Sequence, residues 1–470
     1  MCGIVGTIGG SLPRVEMGVR ALAHRGPDAS GTTTKGNVVL GHTRLSILDV
    51  GERSNQPFIY RSVALTYNGE LWNFKELRRE LETLGHAFQT TGDTEVVAAA
   101  LAEWGTYALK KFRGMFAMAW TTGGETLYLV RDRYGEIPLH YSRDYPVYFA
   151  SELKALRSMN VDLRTVKWVG PGELVKLSPK GWEECTWNKI DVTPIDDTLE
   201  QASAKVRDLV VAGAVERTIS DVPVCTLLSG GIDSAAVVYA LKIVMPGIVA
   251  YHAVLDPKSP DLKAARQTAE YLGVELREVD VRIPSSADMA DVVRTLEMPL
   301  KAHVEIGWPC MVLARRMRED GFKVTFSGEG SDEMWASYGF TFHALKTKEW
   351  HTYRRDLFLS QHRKNFARCN KIFLSHGVEC RLPFLNQDLV EYAICLKKES
   401  VHSGRSDKAV VRMAFEGLLP EHITHRPKLA FQDGMGLKKE IQAVLGNPQK
   451  FYKECFDREY GGNEDMEEAG

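Results

Sequence analysis

Val222-Pro223-Val224-Cys225-Thr226-Leu227-Leu228 runs into Ser229-Gly230-Gly231-Ile232-Asp233-Ser234, and Ala235 then opens a helical pattern. A short apolar run of this kind suits a strand buried on both faces of a parallel sheet. The glycines let backbone N–H groups approach a phosphate, and serine hydroxyls and a helix N-terminus add further donors. The lysine of the G-x-x-x-x-G-K-[ST] loop is missing, so this is a different phosphate turn. Working outward, Val249–Val254 reads as the next strand. Leu262, Ala265, Ala269 and Leu272 then share one helix face, Gly273 stops that helix, and Leu276–Val281 reads as another strand. The βαβαβ order predicts a parallel sheet covered by helices.

A second turn, Ser327-Gly328-Glu329-Gly330-Ser331-Asp332-Glu333, follows the apolar Val324–Phe326. It offers another phosphate-facing loop with a carboxylate. Asp233 and Asp332 are therefore candidate ligands for Mg²⁺ against pyrophosphate oxygens, because hard cations take oxygen ligands.

The first 190 residues have a different character. Asn37–Leu40, Val63–Tyr67, Met115–Trp120, Thr126–Arg131 and Val147–Ala150 read as strands. One helix is clear, with Phe74, Leu77, Leu81 and Leu84 on one face and Gly85 as its stop. The expected division is a first domain over 1–190, a polar linker over 191–200 containing Pro194, a second domain over 201–460, and a disordered acidic tail over 461–470.

Cys2 carries its own chemistry. Removal of Met1 would give one residue both a thiol and a free α-amine. A thiol is only slightly ionised at neutral pH, and an amine of pKa about 8 is placed to act as its base. If Met1 stays, that base is masked and the thiol is expected to be inactive toward an amide.

Composition excludes several classes. At 470 residues, 44% hydrophobic and 26% charged, the chain reads as a two-domain globular protein. A net charge of -2 argues against a nucleic-acid binder that works through a basic field. The His362, Arg363, Lys364 patch reads as a solvated helix face. No apolar run approaches the roughly 20 residues needed to span a bilayer, and no signal peptide is evident, so a cytoplasmic location without membrane attachment is expected. The 8 cysteines include no C-x-x-C pair, so neither a zinc site nor a disulfide framework is indicated.

Cys2-Gly3-Ile4-Val5-Gly6, His24-Arg25-Gly26-Pro27-Asp28, Arg44-Leu45-Ser46-Ile47, Asn68-Gly69-Glu70 and Thr91-Gly92-Asp93 together resemble the class II glutamine amidotransferase domain. That family has an N-terminal nucleophile fold, an αββα sandwich. The resemblance implies that Arg44 grips the α-carboxylate of glutamine and Asp93 accepts from its α-ammonium with help from Glu70. It also implies that the Asn68 side-chain amide and the Gly69 N–H form an oxyanion hole beside Cys2. His24 is read as shaping the loop, outside catalysis.

The turn at residues 228–234 resembles the PP-loop of enzymes that bind ATP and release pyrophosphate by adenylating an acid. Further matches are Arg368-Cys369-Asn370-Lys371, the segment Gly377–Leu385, Arg426-Pro427-Lys428 and Phe431-Gln432-Asp433-Gly434. The whole chain thus resembles the glutamine-dependent asparagine synthetases. This implies a mixed α/β and α+β protein in which a glutaminase domain precedes a PP-loop domain with a parallel sheet. By resemblance Leu228, Ser229, Gly230, Gly231, Asp233, Ser234, Val254, Ser327 and Gly328 bind ATP. Lys428 stabilises charge in the adenylation and acyl-transfer transition states, and Glu329 and Tyr338 face the acyl-adenylate. ATP, Mg²⁺, glutamine and an acceptor acid, aspartate by default, are the implied cofactors and partners, with a homodimer as an option.

One segment departs from the family. Where Thr-Thr-Ile-Arg is usual, this chain has Ala302-His303-Val304-Glu305. A glutamate in place of arginine inside an acceptor pocket would repel aspartate, unless another cation has moved in. A different acceptor acid is therefore the live alternative. A non-catalytic glutamine or nucleotide sensor is the more distant one, since it would be expected to lose Cys2 or Lys428.

Overall fold

The computed structural model describes residues 1–403, 408–426 and 436–461. Lys428, the Phe431–Gly434 motif and nearly all of the acidic tail lie outside the described residues.

Two six-stranded antiparallel sheets occupy the first part of the chain. In spatial order the first runs Val166–Trp168, His140–Ser142, Val147–Ala150, Gly3–Ile8, Val38–Arg44 and Ala29–Lys35. The second runs Gly181–Thr186, Glu173–Ser178, Leu127–Arg131, Gly114–Thr121, Val63–Leu71 and Phe58–Tyr60. The Gly3–Ile8 and Val38–Arg44 strands are buried on both faces. The Leu12–Ala21 helix covers one side of the first sheet, and its Gly18 is needed because a Cβ there would meet Val5 at 2.7 Å. The Phe74–Thr83 and Thr94–Trp104 helices cover the second sheet. The expected strands are all present, with moved ends. Val63–Leu71 runs four residues past the expected Tyr67, which puts Asn68, Gly69 and Glu70 on the strand itself.

The later part contains a five-stranded parallel sheet in the order Glu275–Asp280, Val249–Val254, Val224–Leu227, Val324–Phe326 and Glu379–Arg381. The chain first steps outward in one direction from Val224–Leu227 and then returns to its other side. A crevice therefore opens past the carboxyl ends of Val224–Leu227 and Val324–Phe326. The helix after the first turn begins at Ile232, three residues before the expected Ala235.

Residues 191–200, expected as a linker, are exposed or half-buried and are tied to the neighbouring chain by hydrogen bonds. Ile195 N–H donates to Cys395 O at 2.8 Å, and Thr198 with Gln201 forms a capping box for the Leu199–Glu216 helix. His362, expected on a solvated face, is 7% exposed and takes a bond from Arg131 Nη1 at 3.0 Å. Three successive basic residues did not reveal that this one meets the other part of the chain. No helix among the described residues is long and apolar enough to cross a membrane, and all eight cysteines are free thiols.

Candidate functional site

Cys2 precedes a central strand of the first sheet, and Asn68 lies on the second. Cys2 N–H donates to Asn68 Oδ1 at 2.7 Å, tying the two sheets together beside the thiol. The other end of that side chain, Asn68 Nδ2, is buried without a protein acceptor. An unused buried donor is costly, so its persistence beside a nucleophile fits a group that donates only when an oxyanion is present. Burial pushes the Cys2 thiol above its ordinary pKa, partly offset by the nearby chain-terminal ammonium. The thiol therefore needs a base. Gly69 packs so closely on the next strand that a Cβ would lie 2.2 Å from Met115 O.

Asp93 Oδ2 accepts from Leu71 N–H at 2.9 Å and from the Tyr67 hydroxyl at 3.0 Å. Burial nevertheless pushes its carboxyl up to about 6. Glu70 is raised well above the usual range by burial and by Glu379, with Arg381 3.5 Å away. These acids lie against the edge strand Glu379–Arg381 of the parallel sheet. Met1 fills the remaining space, its ammonium 2.5 Å from Glu379 Oε2 and its sulfur accepting from Asn370 Nδ2 at 3.4 Å.

Arg44 stands slightly apart. Its guanidinium donates to Gly51 O at 2.7 Å, Asp49 O at 2.5 Å and Asn55 Oδ1 at 2.8 Å. It borders a cavity of about 260 Å³ together with Asp28, Ser46 and Lys323. Cys2, Asn68, Glu70 and Asp93 do not border that cavity. His24 Nε2 lies 2.9 Å from Glu152, at the seam between the two parts of the chain.

The crevice of the parallel sheet holds a cavity of about 310 Å³. Leu228, Ser229, Gly231, Asp233 and Ser234 line it from one turn, and Ser327, Gly328, Glu329 and Asp332 from the other, with Tyr338 beside them. Two expected residues do not line it. Gly230, at φ +84°, turns its carbonyl to Arg426 Nη1 at 2.7 Å. Val254 lies beyond the wall that Tyr251, His252 and Ala253 supply.

Lys408 was not legible in the sequence. Its ammonium lies 2.5 Å from Asp233 Oδ2 and 2.5 Å from Asp332 Oδ1. Burial alone would depress this ammonium, but the two carboxylates more than offset it and hold it above the ordinary lysine range. The signal available was weak: Lys408 and Arg412 are four residues apart, and both line the cavity. Asp233 and Asp332 thus already converge on one cation. That donor pair fits a divalent ion whose other ligands come from phosphates and water.

At the far end, Arg368 pairs with Glu329 and donates to Asn365 Oδ1 at 2.8 Å. It also lies 3.3 Å from His303 Nδ1, and burial depresses the His303 imidazole to about 3, so the ring is neutral. Tyr338 donates to Glu333 at 2.5 Å. Burial, with Glu329 and Asp332 nearby, raises the Glu333 carboxyl to about 7. The expectation for Glu305 is corrected. The Lys301–Glu319 helix turns Ile306, Cys310 and Leu313 to the cavity. Glu305 is 1% exposed elsewhere, with Lys301 at 3.9 Å. Among the described residues, the cation that lines this end of the cavity is Arg368.

Residues 1–203 match the family model for the glutamine amidotransferase domain, and residues 205–368 and 347–450 that for asparagine synthase. Asparagine synthetase B [glutamine-hydrolyzing] of Escherichia coli (strain K12) is 32% identical over 96% of this chain, which covers 86% of that protein. Asparagine synthetase [glutamine-hydrolyzing] 3 of Arabidopsis thaliana is 32% identical over 93% of this chain, which covers 79% of that protein.

Proposed function

Because the chain belongs to the glutamine-hydrolysing asparagine synthetase family, we propose that it transfers ammonia from glutamine to the side-chain carboxylate of aspartate at the expense of ATP. The observation that carries this reading is the placement of two chemistries on one helix. Asn365–Leu374 turns Asn370 toward the Cys2 region and Arg368 into the nucleotide cavity.

At the first site, removal of Met1 converts the Cys2 amide nitrogen, 2.7 Å from Asn68 Oδ1, into an amine. The thiol gives its proton to that amine and its sulfur bonds to the glutamine amide carbon. The C–N bond breaks, the proton leaves with ammonia, and water then hydrolyses the thioester. Asn68 Nδ2 and the Gly69 N–H receive the oxyanion. Asp93 and Glu70 hold the α-ammonium of glutamine, and Arg44 holds its carboxylate.

At the second site, the Ser229–Ser234 turn and Ser327-Gly328 seat ATP. A carboxylate oxygen of aspartate bonds to the α-phosphorus and pyrophosphate leaves. Ammonia then displaces AMP from the acyl carbon and loses a proton to Glu329. Lys408, with Lys428, balances the charge that collects on the leaving phosphates. Asp233 and Asp332 would hold Mg²⁺, which supplies further charge neutralisation when bound.

The decisive experiment measures pyrophosphate release across a panel of carboxylic acids, with glutamine or ammonium chloride as nitrogen donor. Aspartate should be preferred, and Cys2→Ala should remove the glutamine-driven reaction only. Preference for another acid would overturn the acceptor, and loss of both activities in Cys2→Ala would overturn the separation of sites.

A further inference from the structure

The carboxylates of Asp233 and Asp332 are oriented by groups other than Lys408. Ser331 Oγ donates to Asp233 Oδ1 at 2.6 Å, and Ser337 Oγ donates to Asp332 Oδ1 at 2.8 Å. The two turns that carry them are packed hard together, since a Cβ on Gly328 would lie 2.9 Å from Asp233 Cβ. The carboxylates are 21% and 26% exposed, whereas the Lys408 side chain between them is 3% exposed. Lys408 precedes the Ala409–Ala414 helix at φ +54°, in the left-handed region. A lysine there carries a backbone cost that glycine would not. The group placed at that cost is an ammonium 2.5 Å from Asp233 Oδ2 and 2.5 Å from Asp332 Oδ1. An ammonium bonded to both carboxylates and a divalent ion bound to both would be like charges in one small space, so the two exclude each other. A phosphate chain changes the balance, because it offers the ammonium other acceptors and brings further oxygens for the ion.

We infer that Lys408 is a built-in competitor of the metal: it holds the Asp233–Asp332 pair when no nucleotide is bound and yields it only to an ion that arrives with a nucleotide's phosphates. The inference rests on the reading of this cavity as a Mg-ATP site and adds an order of binding to it. Free divalent cations are kept off the two carboxylates, and the ammonium passes to the phosphates when a nucleotide enters. The serine hydroxyls keep the carboxylates aimed through that exchange. The competing account is a permanent ion pair that only cements the two turns, with the ion held by phosphates alone.

The test measures Mn²⁺ binding to the full chain by equilibrium dialysis, with and without α,β-methylene-ATP. The proteins are wild type, Lys408→Met, Lys408→Gln, Asp332→Asn and the double variant Lys408→Met, Asp332→Asn. Without nucleotide, both Lys408 variants should bind Mn²⁺ at least about tenfold more tightly than wild type, the scale on which one nearby charge shifts an equilibrium. The double variant should lose that gain. With nucleotide, wild type should take up Mn²⁺, and Asp332→Asn alone should weaken the uptake by about tenfold, since the carboxylate then belongs to the ion. Equal affinity in wild type and both Lys408 variants without nucleotide would overturn the competition and leave the Mg-ATP reading intact. Nucleotide-dependent uptake that Asp332→Asn leaves unchanged would also overturn it, and that comparison needs no change at Lys408. Failure of wild type to bind Mn²⁺ with the nucleotide would remove the Mg-ATP reading, and the inference with it.

Discussion

Lys371 Nζ lies 2.6 Å from Glu297 Oε2, and neither side chain has any exposed surface. The same carboxylate accepts from the backbone N–H groups of Leu153 and Lys154 at 2.9 and 2.8 Å, closing the start of the Leu153–Ser158 helix. One glutamate of the later part of the chain thus caps a helix of the earlier part.

Removing one partner of this pair should be costly, because it strands a buried charge. Lys371→Met is expected to lower stability by about 3–5 kcal/mol. The double variant Lys371→Met, Glu297→Gln should recover part of that loss. Urea unfolding of the wild type, both single variants and the double variant measures the coupling.

Lys408 separates two carboxylates that would otherwise face each other across the cavity. Lys408→Met should reduce ammonium-driven pyrophosphate release by about 100-fold or more, the scale of losing a preorganised charge. Glutamine hydrolysis should persist. Lys408→Arg should not restore full activity, since a planar fork does not replace a compact ammonium. Steady-state assays of both half-reactions check this.

In the proposed scheme Asp93 sets a pH limit on glutamine use. Its carboxyl, raised by burial to about 6, has to be ionised to accept from an ammonium. As pH falls through that value the group takes a proton and the attraction is lost. Glu70, also raised by burial and by Glu379, acts in the same direction. The KM for glutamine should rise as pH falls through about 6, by about tenfold per unit for the Asp93 proton alone. Asp93→Asn should show a raised KM with a flatter profile. Initial rates from pH 5 to 8 decide it.

Glu305 and Arg368 separate two accounts of acceptor choice. Glu305 lies off the cavity, so Glu305→Gln should leave the acceptor KM within about twofold, in line with a change outside the site. Arg368→Ala should raise it by about tenfold or more, the scale of a lost hydrogen bond to a charged group. A strong response to Glu305→Gln in an acid panel would return the substituted segment to the acceptor pocket.

Periodicity carried most of the fold. Alternation located five strands of the first part to within a few residues and missed others, among them Ala29–Lys35 and Glu173–Ser178, and the apolar run before Ser229 identified the parallel sheet. It failed where a feature depends on a partner far away in the chain. His362 reads as exposed until Arg131, more than two hundred residues earlier, is placed beside it. Lys408 reads as a surface lysine until Asp233 and Asp332 close on it. Val254 and Gly230 were both expected at the cavity, yet neither lines it, and Gly230 has φ +84°.

The features that suggest the chemistry of the chain are legible one segment at a time. A thiol at position 2, two glycine-serine turns after short strands, and their order are local properties, set by residue type and spacing. Folding chose which groups face one another: Lys408 between two aspartates, Arg368 rather than Glu305 on the cavity wall, and Arg25 bridging Cys2 to Asn370. Burial and distance set the energy of a charge, and both depend on segments that meet only when the chain has folded.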